Sequence, residues 1–360
     1  MIKLKYPSLN GLRAISVLMV MLHHLAVKKD LFIPFADNKC LKPFIDFITD
    51  GQLGVNVFFV ISGFLITSLL LEEENVTGSI EIGNFYKRRF LRILPAYYFL
   101  LGIYFLMHIL HFYNITLASW ITSFTFTKYL NWQLDWGTAH FWSLSVEENF
   151  YLFWPFIFIG GQFWRKFTAI LLIVIVPFVR WYTFEHEVFW IDKHSIFTRI
   201  DAIAMGCLFA LYKEIILEKL SKYWYWIFYS SVLFLFGARY FPDLTKSIHL
   251  SLVFIPLGTT YGTLANLFIA LLMMYSIFGP RLIWFKILNF KVLNFIGLLS
   301  YSLYLWQQLF ISKATNWCFQ FPQNILLTFI MALFSYYMIE KPFLKLKNRY
   351  SFWFAKSKQK

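Results

Sequence analysis

The stretch Tyr6–Val27, YPSLNGLRAISVLMVMLHHLAV, is apolar and long enough to cross a bilayer as a helix. It nevertheless carries Arg13 near its start and His23 and His24 near its end. Ionisable side chains at membrane depth are costly, and they usually face a protein interior or a water-filled cavity. The stretch therefore predicts both a first membrane helix and a functional site inside that helix.

Arg13 and His24 are separated by eleven positions in this stretch. At ~100° per residue, that spacing returns to within about 20° of the same helix face, with a rise of roughly 16 Å. His23 points about 100° away from His24 and is the weaker candidate. We therefore expect Arg13 and His24 to lie on one face of the helix, at different depths.

The composition of the whole chain indicates a polytopic membrane protein. The 360 residues are 59% hydrophobic and only 14% charged, and the mean hydropathy is +0.58, which no soluble domain of this size needs. No cleavable signal peptide is expected, because the first apolar segment contains Arg13 and lacks a small-residue cleavage site. The 33 Lys and Arg against 19 Asp and Glu then indicate orientation in a membrane rather than nucleic-acid binding.

Apolar stretches of spanning length recur along the chain. They lie near 10–27, 52–71, 94–112, 145–161, 167–184, 198–212, 224–240, 261–279, 293–312 and 324–343. The weakly apolar stretch 115–131 is rich in Ser and Thr, which is typical of an interfacial or re-entrant helix. If it is left out and the N-terminus is inside, the inner segments hold 21 of the 33 Lys and Arg, far more than the outer segments hold.

The positive-inside rule then predicts an all-α integral membrane fold of about ten transmembrane helices, with the N- and C-termini cytoplasmic. We find no internal repeat and no soluble domain, so the chain divides into a membrane domain, 1–345, and a basic cytoplasmic tail, 346–360. The three cysteines show no metal-ligand or redox spacing, and no metal site is predicted.

The segment YKRRFLRILP, Tyr86–Pro95, places four cations just before the third predicted span. One interpretation is a positive-inside anchor. The other is a phosphate clamp, because Arg89 and Arg92 at i, i+3 share a helix face and the guanidinium fork suits phosphate oxygens. Arg13 starts its helix on the same side. Arg88, Arg89 and Arg92 are therefore candidate binding residues for a polyphosphate ligand.

The run HFWSLSVEENFYLFWP, His140–Pro155, begins at the predicted outer face. His140 and Glu147 are seven residues apart and share a face if the segment is helical. The topology puts them at about the depth of His24. A carboxylate beside an imidazole raises its basicity and fixes its tautomer, as a general base for a hydroxyl requires. We expect Glu147, with or without His140, to orient His24 or an acceptor.

Other segments predict structural roles. Ser62 and Gly63 indicate close approach of two helices. Arg199 and Asp201 predict a mutual ion pair, and Glu340 is expected to pair with a lysine or arginine. The segment LLSYSLYLWQQ, 298–308, offers hydroxyl and amide groups at mid-membrane.

Seven motifs follow one another along nearly the whole chain: LNGLRAISVLMVMLHH, FFVISGFLIT, KRRFLR, WSLSVEENFY, RIDAIAMG, SYSLYLW and YYMIEKPF. Together and in this order they resemble the acyltransferase 3 family of integral membrane acyltransferases. The resemblance implies a ten-helix domain that passes an acyl group, usually acetyl from acetyl-CoA, to a hydroxyl of an extracytoplasmic glycan. It also implies that His24 is the essential histidine, Arg13 its paired arginine, Arg89 and Arg92 the Arg-x-x-Arg, and Glu147 the first glutamate of the Val-Glu motif.

The chain departs from the family pattern in two places. Many members have a histidine where this chain has Gln307, so no catalytic part is expected there. Many also carry a periplasmic hydrolase-like domain after the last span, whereas this sequence stops within about twenty residues of it. Transfer onto the final acceptor is therefore expected in the membrane domain or on a separate partner.

The resulting hypothesis is O-acyl transfer across a bacterial inner membrane, with His24 as general base or acyl carrier. The expected partners are membrane lipid, acyl-CoA, a glycan or glycolipid acceptor and polysaccharide-assembly proteins, with no nucleic acid. An alternative is a carrier or flippase that uses the same charges as a pathway, although no pair of Gly- or Pro-broken spans recurs in the two halves. A non-catalytic scaffold would leave the ionisable groups in the first helix unexplained.

Overall fold

A computed structural model of the chain describes residues 6–32, 34, 38–130, 135–186, 188, 194–240, 262–347 and 350. Within these ranges the fold is all-helical and has no strand. The α-helices in chain order are α1 Leu9–Lys29, α2 Lys42–Ile48, α3 Gly51–Thr77, α4 Ile82–Ile109, α5 Leu117–Phe124, α6 Trp136–Ala139, α7 Phe141–Ile159, α8 Gln162–His186, α9 Ile196–Leu211, α10 Lys213–Leu220, α11 Trp224–Gly237, α12 Thr263–Phe278, α13 Ile283–Leu288, α14 Lys291–Leu298, α15 Ser300–Phe310, α16 Gln323–Phe334 and α17 Lys341–Lys347. A π-helical turn, Ser335–Glu340, joins the last two. Most of the predicted tail, 346–360, lies outside the described residues.

Helices that are long and apolar enough to cross a membrane number five in the part of the chain that the structure describes. They are Leu9–Lys29, Gly51–Thr77, Ile82–Ile109, Gln162–Thr183 and Gln323–Lys347. The remaining predicted spans correspond to helices that are shorter or more polar, among them α9 and α12 with 16 residues each. The all-helical membrane character is confirmed, and the ten-span topology stays a prediction.

Many large apolar side chains point away from the protein interior. Phe153, Phe163, Phe178 and Leu233 are each more than 60% exposed. Apolar surface on this scale is unfavourable in water and suits contact with lipid chains.

The structure bears on two further sequence predictions at the level of single elements. The stretch 115–131 forms only the eight-residue helix α5 and a short 3₁₀ turn, Lys128–Leu130, before residues 131–134, which are not described. An eight-residue helix is about 12 Å long, so the interpretation that this stretch does not span is confirmed. The predicted span 293–312 is two helices, α14 and α15, separated at Leu299.

The first helix is held between its neighbours by close backbone contacts. It packs against α3, α14 and α15. A Cβ atom at Gly297 of α14 would lie 1.9 Å from the Asn10 carbonyl oxygen, and one at Gly54 of α3 would lie 2.8 Å from the Ser16 carbonyl oxygen. The side chains of α1 therefore face other helices over much of its length, which gives Arg13 and His24 protein surroundings.

Helices α3 and α9 approach each other most closely at two glycines. A Cβ atom at Gly63 would lie 1.9 Å from the Ile203 carbonyl oxygen, and one at Gly206 would lie 2.0 Å from the Val60 carbonyl oxygen. Each helix thus places a glycine against the backbone of the other. This confirms the prediction of close helix approach at Ser62 and Gly63.

The predicted ion pair between Arg199 and Asp201 is wrong. Asp201 pairs with Arg180 of α8, while Arg199 donates hydrogen bonds to Gln52 and, at 3.2 Å, to Asn56 of α3. Residues two apart in a helix point about 200° away from each other, so they cannot face one another.

The expectation for Glu340 also fails within the described residues. Its carboxylate is buried and accepts hydrogen bonds from the hydroxyls of Ser302 and Ser335 rather than pairing with a cation. The π-helical turn that contains Glu340 brings it against α15, a tertiary contact that periodicity does not reveal.

We expect Gly206→Ala to destabilise the folded protein by about 3 kcal/mol or more, because the added methyl group would overlap the Val60 carbonyl oxygen and force α3 and α9 apart. Thermal unfolding of the detergent-purified protein measures the effect. Gly102→Ala in α4 is the matched control, since nothing lies within 4 Å of its added Cβ. Equal melting temperatures for the two variants would contradict the close approach.

Candidate active site

A cavity between α1, α3, α4, α7 and α15 collects most of the charged residues that the sequence singled out. The cavity and its open mouth hold about 900 Å³ of space between atoms. Its walls are formed by Arg13, Val55, Phe58, Phe59, Ile61, Ser62, Leu65, Leu69, Arg89, Arg92, Ile93, Ser143, Leu144, Glu147, Tyr151, Ser300, Tyr301 and Tyr304. Three guanidinium groups therefore share one cavity with one carboxylate.

Arg89 and Arg92 reach this cavity because α4 begins at Ile82, so the arginine motif is already helical. Spaced by three residues, the two side chains leave the helix on one face. The Arg89 guanidinium carbon lies 4.0 Å from the centre of the Tyr151 ring, a cation–π contact that holds it at the cavity wall. Arg13, Arg89 and Arg92 therefore line one cavity.

Arg88 is placed differently. One of its amino groups lies 2.5 Å from a carboxylate oxygen of Glu73, and the other donates to the Tyr350 carbonyl oxygen at 3.0 Å. It is absent from the cavity wall, because adjacent helical residues point about 100° apart. The geometry thus gives Arg88 an ion pair between α4 and the end of α3, and its place among the ligand-binding cations stays a prediction.

Glu147 lies in the arginine cavity and accepts a hydrogen bond from the Ser62 hydroxyl at 2.7 Å. The sequence placed it beside His24 at the outer end of α1. Seven helical residues rise by about 10 Å, so Glu147 lies two turns deeper than His140 and reaches the depth of the arginines instead. The two residues share a helix but belong to different polar sites.

His24 occupies a second polar site, built mainly by α15. Its Nδ1 lies 3.1 Å from Gln307 Oε1, and its Nε2 lies 3.3 Å from Gln308 Nε2. The Trp136 ring packs edge-on against the imidazole, with 5.3 Å between ring centres. Arg13 lines the arginine cavity together with Ser300, Tyr301 and Tyr304 of α15, the helix that His24 also contacts, in line with the predicted shared face of α1.

His23 turns towards the junction of α2 and α3, where its Nδ1 lies 3.0 Å from the Thr49 carbonyl oxygen. His23 and His24 thus point in different directions from α1, as the predicted angle of about 100° between them requires.

His140 is 2% exposed and contacts Gln308 rather than His24. Its Nδ1 lies 2.7 Å from Gln308 Oε1 and its Nε2 lies 3.1 Å from the Leu305 carbonyl oxygen. Both ring nitrogens therefore lie within hydrogen-bond distance of protein oxygens, and His140 is not among the residues that line the arginine cavity. His140 holds Gln308 in place, and Gln308 in turn contacts His24.

Tyr304 and Ser143 connect the two sites. Both line the arginine cavity, and their hydroxyl groups hydrogen-bond to each other. The Tyr304 hydroxyl also donates to the His140 carbonyl oxygen at 2.8 Å. The spacing of Tyr301, Tyr304 and Gln308 predicts that they lie on one face of α15. The sequence did not show which residues of other helices this face contacts.

No metal site is evident in the described ranges, which contain no group of three or more His, Cys, Asp or Glu side chains arranged to hold an ion.

Comparison with known proteins identifies the family of the chain. A family model described as an acyltransferase domain matches residues 6–339. The chain belongs to the acyltransferase 3 family. The resemblance drawn from the seven motifs is therefore confirmed over nearly the whole chain.

Relatives of this acyltransferase 3 protein come from Staphylococcus aureus. A protein of strain COL, provisionally named an O-acetyltransferase, is 30% identical over 95% of this chain and 58% of its own length. The O-acetyltransferase OatA of strain NCTC 8325 is 28% identical over 94% of this chain and 57% of its own length. The chain thus spans less than two thirds of the relatives it matches, and no solved structure matches it.

Arg88→Ala should lower the stability of this acyltransferase 3 protein by about 3 kcal/mol, because it leaves the carboxylate of Glu73, which is 2% exposed, buried without its cation. Thermal unfolding in detergent measures the loss. Lys87→Ala removes a neighbouring exposed cation and serves as the matched control. A melting temperature for Arg88→Ala equal to that of the control would show that the ion pair contributes nothing.

Proposed function

We propose that this acyltransferase 3 protein is a membrane-bound O-acetyltransferase. It takes an acetyl group from acetyl-CoA at the cytoplasmic face and passes it to a hydroxyl of an extracytoplasmic polysaccharide or glycolipid. The observation that carries the proposal is the convergence of Arg13, Arg89 and Arg92 on a single cavity.

The chemistry of the cavity wall suits a coenzyme A thioester. Arginine forks bind phosphate oxygens in pairs, and three of them provide the positive charge that the coenzyme A phosphates require. Apolar side chains of α3, among them Phe58, Phe59 and Leu65, form part of the wall beside the guanidinium groups. An apolar wall next to a cationic cluster matches a ligand with a charged nucleotide end and a long, weakly polar pantetheine arm.

The names of the relatives support acetyl as the acyl group and oxygen as the acceptor atom. The acceptor we propose is a glycan or glycolipid, in line with the family resemblance. Membrane lipid and proteins of polysaccharide assembly are the other partners we propose. We place the protein in a bacterial inner membrane with about ten spans and both termini cytoplasmic, because the excess of inner Lys and Arg favours that orientation.

His24 is the residue we propose for the chemical step, and two routes are open to it. As a general base, the ring nitrogen that holds the lone pair takes the proton of the acceptor hydroxyl while the hydroxyl oxygen bonds to the acetyl carbon and the C–S bond breaks. As an acyl carrier, the same nitrogen bonds to the acetyl carbon, the thiolate leaves, and the acceptor oxygen then displaces the imidazole. In both routes the coenzyme A sulfur ends as the thiol after taking up the released proton.

Glu147 and Arg13 support the donor side in this proposal. Glu147 lies among the arginines and is held by Ser62, so it can orient a guanidinium or a polar group of the pantetheine arm. Arg13 is the only charged residue that α1 contributes to the cavity wall, and it places a cation about 16 Å below the level of His24.

We expect His24→Ala to abolish acetyl transfer while leaving the melting temperature close to that of the wild type, since His24 is only half-buried. The measurement uses sealed vesicles with the purified protein, radiolabelled acetyl-CoA on the cytoplasmic side and candidate glycans on the other. His23→Ala is the matched control and should retain transfer. Wild-type transfer by His24→Ala would refute the assignment, and transport of a solute without use of acetyl-CoA would favour a carrier.

The double variant Arg89→Ala/Arg92→Ala should raise the KM for acetyl-CoA on the order of 100-fold, because two charge-assisted contacts to phosphate are lost. Initial rates at varied acetyl-CoA concentration measure it, with Lys87→Ala as the control for charge on the same helix turns. An unchanged KM would exclude these arginines from the donor site and leave the His24 assignment standing.

A further inference from the structure

The two adjacent glutamines of α15, Gln307 and Gln308, present different atoms to the two ring nitrogens of His24. Gln307 offers its carbonyl oxygen to Nδ1 and Gln308 offers its amide nitrogen to Nε2. Both glutamines are at most 2% exposed, so water does not compete for these contacts. The orientation of each amide therefore decides which nitrogen of His24 carries the hydrogen.

A backbone group fixes the orientation of Gln307. Its Nε2 donates to the Tyr304 carbonyl oxygen at 3.2 Å, and a carbonyl oxygen can only accept. The oxygen of the same amide must then face His24. Because that oxygen can only accept as well, the hydrogen of the imidazole lies on Nδ1.

A second backbone group fixes Gln308 independently. Its Oε1 accepts from the backbone N–H of His140 at 3.2 Å, and also faces His140 Nδ1 at 2.7 Å. An N–H group of the backbone can only donate, so the amide nitrogen of Gln308 must be the atom that faces His24. That nitrogen donates to Nε2, which therefore holds the lone pair.

We propose, building on the function proposed for His24, that Gln307 and Gln308 are positioning residues that hold His24 in the tautomer with hydrogen on Nδ1. Nε2 is then the reacting nitrogen, whether it takes the proton of the acceptor hydroxyl or bonds to the acetyl carbon. The Gln308 contact at 3.3 Å is the longer of the two, and it gives way when Nε2 reacts. Gln307 keeps its contact throughout, because Nδ1 carries hydrogen before and after the step.

The neutral amides of Gln307 and Gln308 are well suited to contact the imidazole of His24. The ionisable groups around His24 are the bases His23, His140 and Lys28, and the Lys28 ammonium lies 3.9 Å from the centre of the Trp136 ring that packs on the imidazole. The amides fix the tautomer without adding a buried carboxylate, whose desolvation is costly.

The test compares the same substitution at the two neighbouring positions. Gln307→Glu keeps an oxygen opposite Nδ1, so transfer is retained. Its added charge stabilises the imidazolium, which moves the rising limb of the pH–rate profile to higher pH by about one unit. Gln308→Glu puts an oxygen opposite Nε2 and favours hydrogen there, so kcat falls by about 100-fold. Gln320→Glu, at an exposed position, controls for the added carboxylate.

A second pair of variants covers the case in which a buried glutamate prevents folding. Gln307→Met removes the acceptor of Nδ1 and should lower kcat by about 10- to 100-fold with an unchanged KM for acetyl-CoA. Gln308→Met leaves Nδ1 held by Gln307, so its kcat falls clearly less than that of Gln307→Met. Melting temperatures identify the pair that folds.

Opposite behaviour at positions 307 and 308 supports the assignment of the tautomer. Equal losses at both positions with no movement of the pH–rate profile overturn it, because equal losses are what packing roles would produce. His24→Ala runs in the same assay. If it retains transfer, the proposed function has failed; if it is inactive while the two glutamine positions behave alike, only the inference about the tautomer has failed.

Discussion

A polar side chain at membrane depth needs protein partners, and this requirement organises the structure around α1. Arg13 and His24 lie on one face of that helix at different depths, and α15 runs opposite both. Its polar side chains meet the cavity at Tyr304 and the imidazole at Gln307 and Gln308. One helix–helix contact thus supplies the surroundings of both ionisable groups.

Close backbone packing makes such surroundings possible. Gly63 and Gly206 let α3 and α9 nearly touch, and Gly297 does the same for α14 against α1. In a bilayer, where lipid chains are as apolar as leucine, van der Waals contact and interhelical hydrogen bonds hold helices together. The glycine contacts therefore define the distances at which the arginines and the glutamines reach their partners.

The two polar sites separate two chemical tasks. Guanidinium groups gather at one depth, where they can hold an anionic donor, and the imidazole lies at another with neutral amides around it. Tyr304 and Ser143 border the first site and contact His140 of the second, so the sites share a wall without sharing ionisable side chains. In the proposed reaction, this separation keeps the positive charge of the arginines away from the nitrogen of His24 that holds the lone pair.

The sequence by itself determined the all-helical membrane class and the family. It also determined that Arg13 and His24 share one helix face and that Arg89 and Arg92 share another. All of these follow from composition, from helical periodicity within one element or from motif order. The partners of these residues were decided only by the tertiary structure. Periodicity shows which residues share a face, but which face of which other helix they meet depends on how the helices pack. For this reason the sequence did not show that Glu147 lies in the cavity with the arginines or that Arg88 forms an ion pair with Glu73. It also did not show that Gln307, to which no role was assigned, contacts His24.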